Sequence, residues 1–271
     1  MTFALSRTLR ESDLEDSAVR ALITDICGDD PAHATHRKSW EFAIGVLALE
    51  AGGVIHDDAV GLSVASGHEA ILYYLANRCG RIFATDLYGD SAFRAGEGSA
   101  VMLSDPDVYA PYPYRRGRLH VSWMDALDLR FEDDAFDFVV SFGSIEHFGE
   151  VAGAAAALAE MARVVRPGGV VFVTTEQCVD GRTSPTLPGT WLFGPDELMA
   201  LVADVPTLEL LGPTDFLRWP APGPRLVDIP MLPALATSGY DVRPHLGLRT
   251  GPGLRDRALT SVSLALRKRA E

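Results

Sequence analysis

Small and acidic residues stand just after successive apolar runs, where an α/β chain would place ligand-binding groups. Ala65, Ser66, Gly67 and His68 follow the run at 60–64. Small residues there let the backbone approach a ligand closely. A helix starting at once turns its free amides toward whatever sits in the turn. Asp86 ends the next apolar run, roughly twenty residues on, where a carboxylate can accept both hydroxyls of a ribose. Asp125 follows a third run at 119–121 and could accept from an adenine amino group. Residues 141–148 follow a fourth and should line the floor of the same crevice, beginning with Ser141. The chemistry implied is the binding of an adenosine-containing ligand across several strand ends.

The elements that must position these groups alternate. Apolar runs at 60–64, 81–85, 119–121, 136–141, 170–174, 208–211 and 260–266 read as strands. Helical patterns at 69–79 and 152–165 separate them, and Gly194-Pro195-Asp196-Glu197 opens another helix with proline in its first turn. Repeated strand–helix–strand order predicts a parallel sheet with helices on both faces. The closing strand follows no helix-length pattern and is expected to return antiparallel. Ahead of the sheet, helices at 12–27 and 37–49 form an N-terminal extension over residues 1–55, the first opened by Ser12-Asp13-Leu14-Glu15 as a capping box. The remainder, 56–271, is one domain with a long Pro/Gly-rich insertion at about 215–257.

Composition narrows the partners. With a net charge of −13, the chain lacks the basic surface that nucleic acid or anionic membranes require. Hydrophobic residues make up 47%, enough for a sizeable core. Cys27, Cys79 and Cys178 form neither a disulfide framework nor a zinc spacing, and the N-terminus lacks a long apolar leader, so a cytoplasmic protein is expected. No metal is expected either: His33 and His36 are three apart without a third ligand nearby in sequence.

Taken together, the stretch 62–176 resembles the class I S-adenosylmethionine-dependent methyltransferases. Leu62-Ser63-Val64-Ala65-Ser66-Gly67-His68-Glu69 resembles their glycine-rich first motif, and Thr85-Asp86-Leu87 their ribose-holding acid. Trp123-Met124-Asp125-Ala126 resembles the adenine motif. Phe136-Asp137-Phe138-Val139-Val140-Ser141, continuing into Ser144-Ile145-Glu146-His147-Phe148, and Met161-Ala162-Arg163-Val164-Val165-Arg166-Pro167-Gly168-Gly169 are the most specific matches. The resemblance implies a Rossmann-like seven-stranded sheet, S-adenosyl-L-methionine as cofactor, and cofactor contacts from Ser63, Ala65, Ser66, Gly67, Glu69, Asp86, Leu87, Asp125, Ala126 and Ser141. It implies that the helical extension folds over the cofactor as a lid, where Trp40 could stack near the methionine or the substrate.

The first motif departs from type. Ser63 stands where the family has an acid, and Ala65 and Glu69 where it has glycines. Ala65 is tolerable there only with a negative φ. Glu69 could replace the lost charge at the cationic end of the cofactor. His147 is the expected general base for a hydroxyl acceptor, with Glu146 the alternative. The acceptor is expected to be a small or carbohydrate-like molecule of a biosynthetic pathway, and the insertion offers a homodimer contact. Two other readings are a degenerate partner subunit, which Ser63 and Ala65 favour, and a nucleotide-cofactor oxidoreductase, which the absence of G-x-G-x-x-G disfavours.

Overall fold

A computed structural model describes residues 4–30, 33–34, 36–89, 98–178, 184–187, 190–217, 225–226, 246–248 and 257–270. Strands β1 (Val60–Val64), β2 (Arg81–Asp86), β3 (Leu119–Trp123), β4 (Phe136–Phe142), β5 (Val165–Cys178), β6 (Leu208–Leu210) and β7 (Arg257–Lys268) form one sheet in the order β3-β2-β1-β4-β5-β7-β6. β1 to β5 are mutually parallel. β7 runs antiparallel to β5 and to β6, as expected of the closing strand. Two short segments, Leu246–Leu248 and Arg225–Leu226, continue the sheet beside the start of β7.

Helices cover both faces. Against one face lie α1 (Ser17–Cys27), α2 (Arg37–Gly52) and α3 (Ala70–Arg78), sharing a core with Phe138, Val140, Phe142, Val170 and Phe172. Against the other lie α4 (Glu150–Val164) and α5 (Pro195–Ala203), packed on Leu62, Val64, Val139, Val171 and Val173. Odd and even positions of β4 and β5 thus feed different cores, which is why these strands read as nearly continuous apolar runs. Each large side chain buried this way contributes about 1.5–3 kcal/mol.

The N-terminal extension packs against the sheet as a layer of the fold. Trp40, Ile44 and Leu49 of α2 are fully buried. A Cβ on Gly45 would lie 2.8 Å from the Phe142 ring, so α2 sits flush on β4. Ahead of α1, the Leu9 amide donates to the Ser261 carbonyl of β7 at 2.9 Å. The described residues of the extension bury their apolar side chains in the same core as the sheet.

Two boundaries differ from the sequence expectation. α1 begins at Ser17, because Asp16 is its cap, accepting from the Ala18 and Val19 amides at 2.8 and 3.1 Å. The Ser12–Glu15 pattern instead lies in a 3-10 turn. β5 begins at Val165, and the Arg166-Pro167-Gly168-Gly169 stretch forms a register shift against β4 rather than a simple stop. Gly169 is required there: a Cβ would lie 2.6 Å from the Asp137 carbonyl oxygen. Most of the expected insertion and dimer contact at 215–257, Trp219 included, lies outside the described residues. No helix among the described residues is long and apolar enough to cross a membrane.

Candidate active site

Strand order reverses beside β1, which has β2 on one side and β4 on the other. A crevice at the carboxyl ends of such strands is the usual ligand position in an open α/β sheet. Three loops meet there. The Ser66 amide donates to the Thr85 carbonyl at 3.0 Å. The Gly67 amide donates to Asp86 Oδ2 at 2.7 Å. From the far side, Ser144 Oγ donates to the Ala65 carbonyl at 3.1 Å. The Met124 amide donates to the Asp86 carbonyl at 3.0 Å, which brings the Asp125 turn alongside. Asp125 itself accepts from the Leu127 amide at 2.9 Å. The loop after β1, Asp86, Leu87, Asp125 and Ala126 thus line up along adjacent strand ends.

Ala65 contradicts the expectation of a negative φ. Its φ is +51°, in the left-handed region that disfavours a β-carbon. Gly67 follows with φ +48°. The loop keeps the shape that glycines normally supply and imposes it on an alanine.

Two serines do not converge on the crevice. Ser63 and Ser141 are interior to β1 and β4 and buried. Leu62 and Val64 face α4 and α5, so Ser63 faces the α2 layer, whereas Ser141 shares the α4 face with Val139. Trp40 is fully buried in the core under α2. His36 caps α2, its Nδ1 accepting from the Lys38 amide at 3.2 Å.

Behind the loop after β4, Glu69, Glu146 and His147 join a buried ionic cluster whose other members, Arg37, Lys38, Glu41 and Glu176, the sequence reading did not assign to the site. Glu146, almost wholly buried, accepts from Thr175 Oγ1 at 2.8 Å. Burial, and next the neighbouring Glu176, push its carboxyl up to about 8. His147 Nε2 lies 4.0 Å from Glu146 Oε1, and its Nδ1 lies 3.3 Å from Thr190 Oγ1. Glu41 of α2 accepts from Ser261 Oγ at 2.5 Å and Thr174 Oγ1 at 2.9 Å, and sits 3.6 Å from Lys38 Nζ. Burial would raise the Glu41 carboxyl, but Lys38, Arg37 and these hydroxyls outweigh it and hold it below the usual range. Arg37 pairs with Glu176. Lys38 donates to the Phe142 carbonyl and pairs with Glu69 Oε1 at 2.7 Å. Burial opposes the Lys38 charge, yet Glu69 and Glu41 raise its pKa. Gly143 stands at the meeting point: a Cβ there would lie 3.2 Å from Lys38 Nζ and 3.3 Å from Glu41 Oε2.

One sequence signal did exist. Arg37 and Lys38 occupy the first turn of α2, where the helix dipole disfavours cations. Cations there need partners from elsewhere in the fold. Tyr88 was also missed: its hydroxyl donates to the Gly67 carbonyl at 2.9 Å and bonds Ser66 Oγ at 3.1 Å, bracing the loop after β1.

Residues 62–173 match a family model described as a methyltransferase domain. Among solved structures, geranyl diphosphate C-methyltransferase from Streptomyces coelicolor A3(2), in complex with Mg2+, geranyl diphosphate and S-adenosyl-L-homocysteine, is 14% identical. The match covers 91% of this chain and 86% of that one, with a TM-score of 0.53. An S-adenosylmethionine-dependent methyltransferase from Clostridium acetobutylicum is 11% identical, with coverage of 87% and 93% and a TM-score of 0.51. The [4+2]-cyclase SpnF is 18% identical, with coverage of 96% and 94% and a TM-score of 0.51. At such identities the likeness to these structures is one of fold.

Proposed function

Starting from the premise that this chain is a class I S-adenosylmethionine-dependent methyltransferase, we propose that it methylates a hydroxyl of a small, sugar-like acceptor in a biosynthetic pathway. Glu146 is the observation that carries the hydroxyl. A neutral amine needs no base, whereas a hydroxyl is helped by one whose pKa lies near the working pH. A buried carboxyl pushed up to about 8, in the loop after β4, suits that task.

The residues present fit the cofactor. Asp86 and Asp125 stand at the ends of adjacent strands, and Glu69 Oε2 is a buried oxygen with no hydrogen-bond partner among the described residues. Asp86 would hold the ribose hydroxyls, Asp125 and Ala126 the adenine edge, and Leu87 the adenine face. The turn at Ala65, Ser66 and Gly67 would let the backbone approach the cofactor closely. Bound S-adenosylmethionine supplies a methyl group on a sulfonium whose leaving group is a neutral thioether. Glu146 takes the proton from the acceptor hydroxyl as the oxygen–methyl bond forms. His147, part-exposed beside it and oriented by Thr190, passes that proton outward. Ser63, Ser141 and Trp40 receive no role in this scheme.

The net charge of −13 supports a small-molecule acceptor over nucleic acid. Three buried free thiols, Cys27, Cys79 and Cys178, support a reducing, cytosolic setting. A second reading, binding without methyl transfer, draws on Ala65, an alanine held at φ +51° where the family has a glycine. The fold is shared with a protein described as a [4+2]-cyclase, so it is not confined to proteins described as methyltransferases.

Calorimetric titration with S-adenosylhomocysteine and NAD, followed by methyl transfer to matched glycoside and amine acceptors, tests the proposal. S-adenosylhomocysteine should bind, NAD should not, and a methyl ether should form. Product from amines alone would overturn the hydroxyl assignment. Tight binding with no transfer to either class would favour the second reading.

A further inference from the structure

The strand ends give the crevice a direction. Asp125 follows β3, Asp86 ends β2, the turn of Ala65 to Gly67 follows β1, and Gly143 follows β4. Neighbouring strands lie about 4.8 Å apart. A nucleoside with its adenine at Asp125 and its ribose at Asp86 must extend whatever else it carries over the ends of β1 and β4. Lys38 and Glu69 stand there.

That pair is unusually built. Lys38 comes from the first turn of α2, and Glu69 is the residue that caps α3 without making a side-chain cap bond. Lys38 Nζ bonds Glu69 Oε1 at 2.7 Å and also donates to the Phe142 carbonyl, so α2 is fastened to the loops after both β1 and β4. Glu69 Oε2 is left buried without a partner among the described residues. A buried carboxylate oxygen with nothing to accept is costly and points to a missing donor. Ser63, lying where the family has an acid, offers no charge of its own.

We propose that the Lys38–Glu69 ion pair recognises the zwitterionic amino-acid end of the cofactor, with Glu69 Oε2 accepting from the α-ammonium and Lys38 Nζ donating to the α-carboxylate. The proposal rests on the crevice being the cofactor site. An α-amino acid needs one anionic and one cationic contact close together, and an ion pair already in place supplies both. It also explains why a glutamate can replace a glycine at the head of α3: the side chain that would crowd a glycine position takes over the charge that Ser63 lacks. Glu41, 3.6 Å from Lys38 Nζ, keeps the lysine protonated without occupying its remaining donor geometry.

The test compares two thioethers by calorimetry: S-adenosylhomocysteine, which carries the amino-acid end, and 5′-methylthioadenosine, which lacks it. Lys38→Met and Glu69→Gln should each weaken S-adenosylhomocysteine by roughly ten- to a hundredfold, the scale of a lost charged hydrogen bond. Both should leave methylthioadenosine within about twofold, which also reports that the nucleoside half of the site is intact. Because a single removal strands a buried charge, the double variant Lys38→Met/Glu69→Gln is measured alongside and should show the same selective loss. Equal weakening of both ligands would reduce the pair to a clasp on α2 and overturn the proposal. So would unchanged binding of S-adenosylhomocysteine. If the unaltered protein bound neither thioether, the cofactor site itself would be misplaced and the proposal would fall with it.

Discussion

The Gly67 amide donates to Asp86 Oδ2 at 2.7 Å, so the acid ending β2 also fixes the turn that follows β1. One carboxylate therefore has two tasks, which substitutions can separate. Asp86→Ala removes both and should weaken cofactor binding by roughly ten- to a hundredfold. Asp86→Asn keeps an oxygen for the Gly67 amide and loses only the charge toward the ribose. It should retain the fold's melting temperature while losing part of the affinity. Titration of both variants with S-adenosylhomocysteine, beside thermal melts, checks this. Equal affinities for parent and Asp86→Ala would place the ribose elsewhere.

Ala65 adopts φ +51° in a turn held on both sides, by Ser144 Oγ on its carbonyl and by the Ser66 amide on Thr85. A β-carbon in the left-handed region costs about 1–2 kcal/mol. Glycine would remove that cost but lose about 0.4–1 kcal/mol through the freedom of its unfolded chain. Ala65→Gly should therefore stabilise the protein by roughly 0.5–1 kcal/mol, a rise in melting temperature of about 1–4 °C. Calorimetric melting decides it. A lower melting temperature would mean that the alanine methyl packs well enough to offset its strain.

Glu146 sets the expected pH profile. A base must be ionised to accept a proton, and its carboxyl is pushed up to about 8 by burial and Glu176. Turnover should therefore climb as pH rises through about 8 and level off above it. Glu146→Gln should lower turnover by roughly 10²–10⁴-fold, abolish that climb, and change affinity for S-adenosylhomocysteine only slightly. His147→Ala should cost less, because His147 lies 4.0 Å from Glu146 and acts after the first proton has moved. A pH profile unchanged in Glu146→Gln would remove the base from the scheme.

What could be read in the sequence followed from local rules. The run from Phe136 to Phe142 announced a strand because burial on both faces favours apolar side chains at nearly every position. Asp86 and Asp125 were legible because a strand end is a fixed place in the chain. The Lys38–Glu69 and Glu41–Ser261 contacts were not, since they join residues from α2 to loops and strands far along the chain. The left-handed turn at Ala65 was misread for a related reason. A residue's own propensity argued for negative φ, and the hydrogen bonds from β2 and from Ser144 overrode it. Trp40 could be placed on a helix by periodicity, but only the packed sheet decided that this face of α2 points into the core.

Two buried glutamates with opposite shifts should give opposite pH dependences of stability. Glu146 is raised from 4.5 to about 8, so the folded state holds its proton more tightly than the unfolded chain does. Its contribution is fully present below about 4.5 and is lost as pH rises through about 8. Glu41 is lowered, so its contribution is present above 4.5 and is lost as pH falls through its folded value. Glu146→Gln should thus match the parent in melting temperature near pH 4.5 and exceed it by a few degrees at pH 9. Glu41→Gln should melt well below the parent at pH 7, because about 3–5 kcal/mol goes with one partner of a buried ionic cluster. That deficit should shrink as the pH falls below 4.5 toward the lowered folded value of Glu41. Melting curves of the three proteins across pH 4 to 9 provide the comparison. Parallel curves would show that neither carboxyl titrates differently in the folded state, and the cluster around Gly143 would then have to be solvated rather than buried.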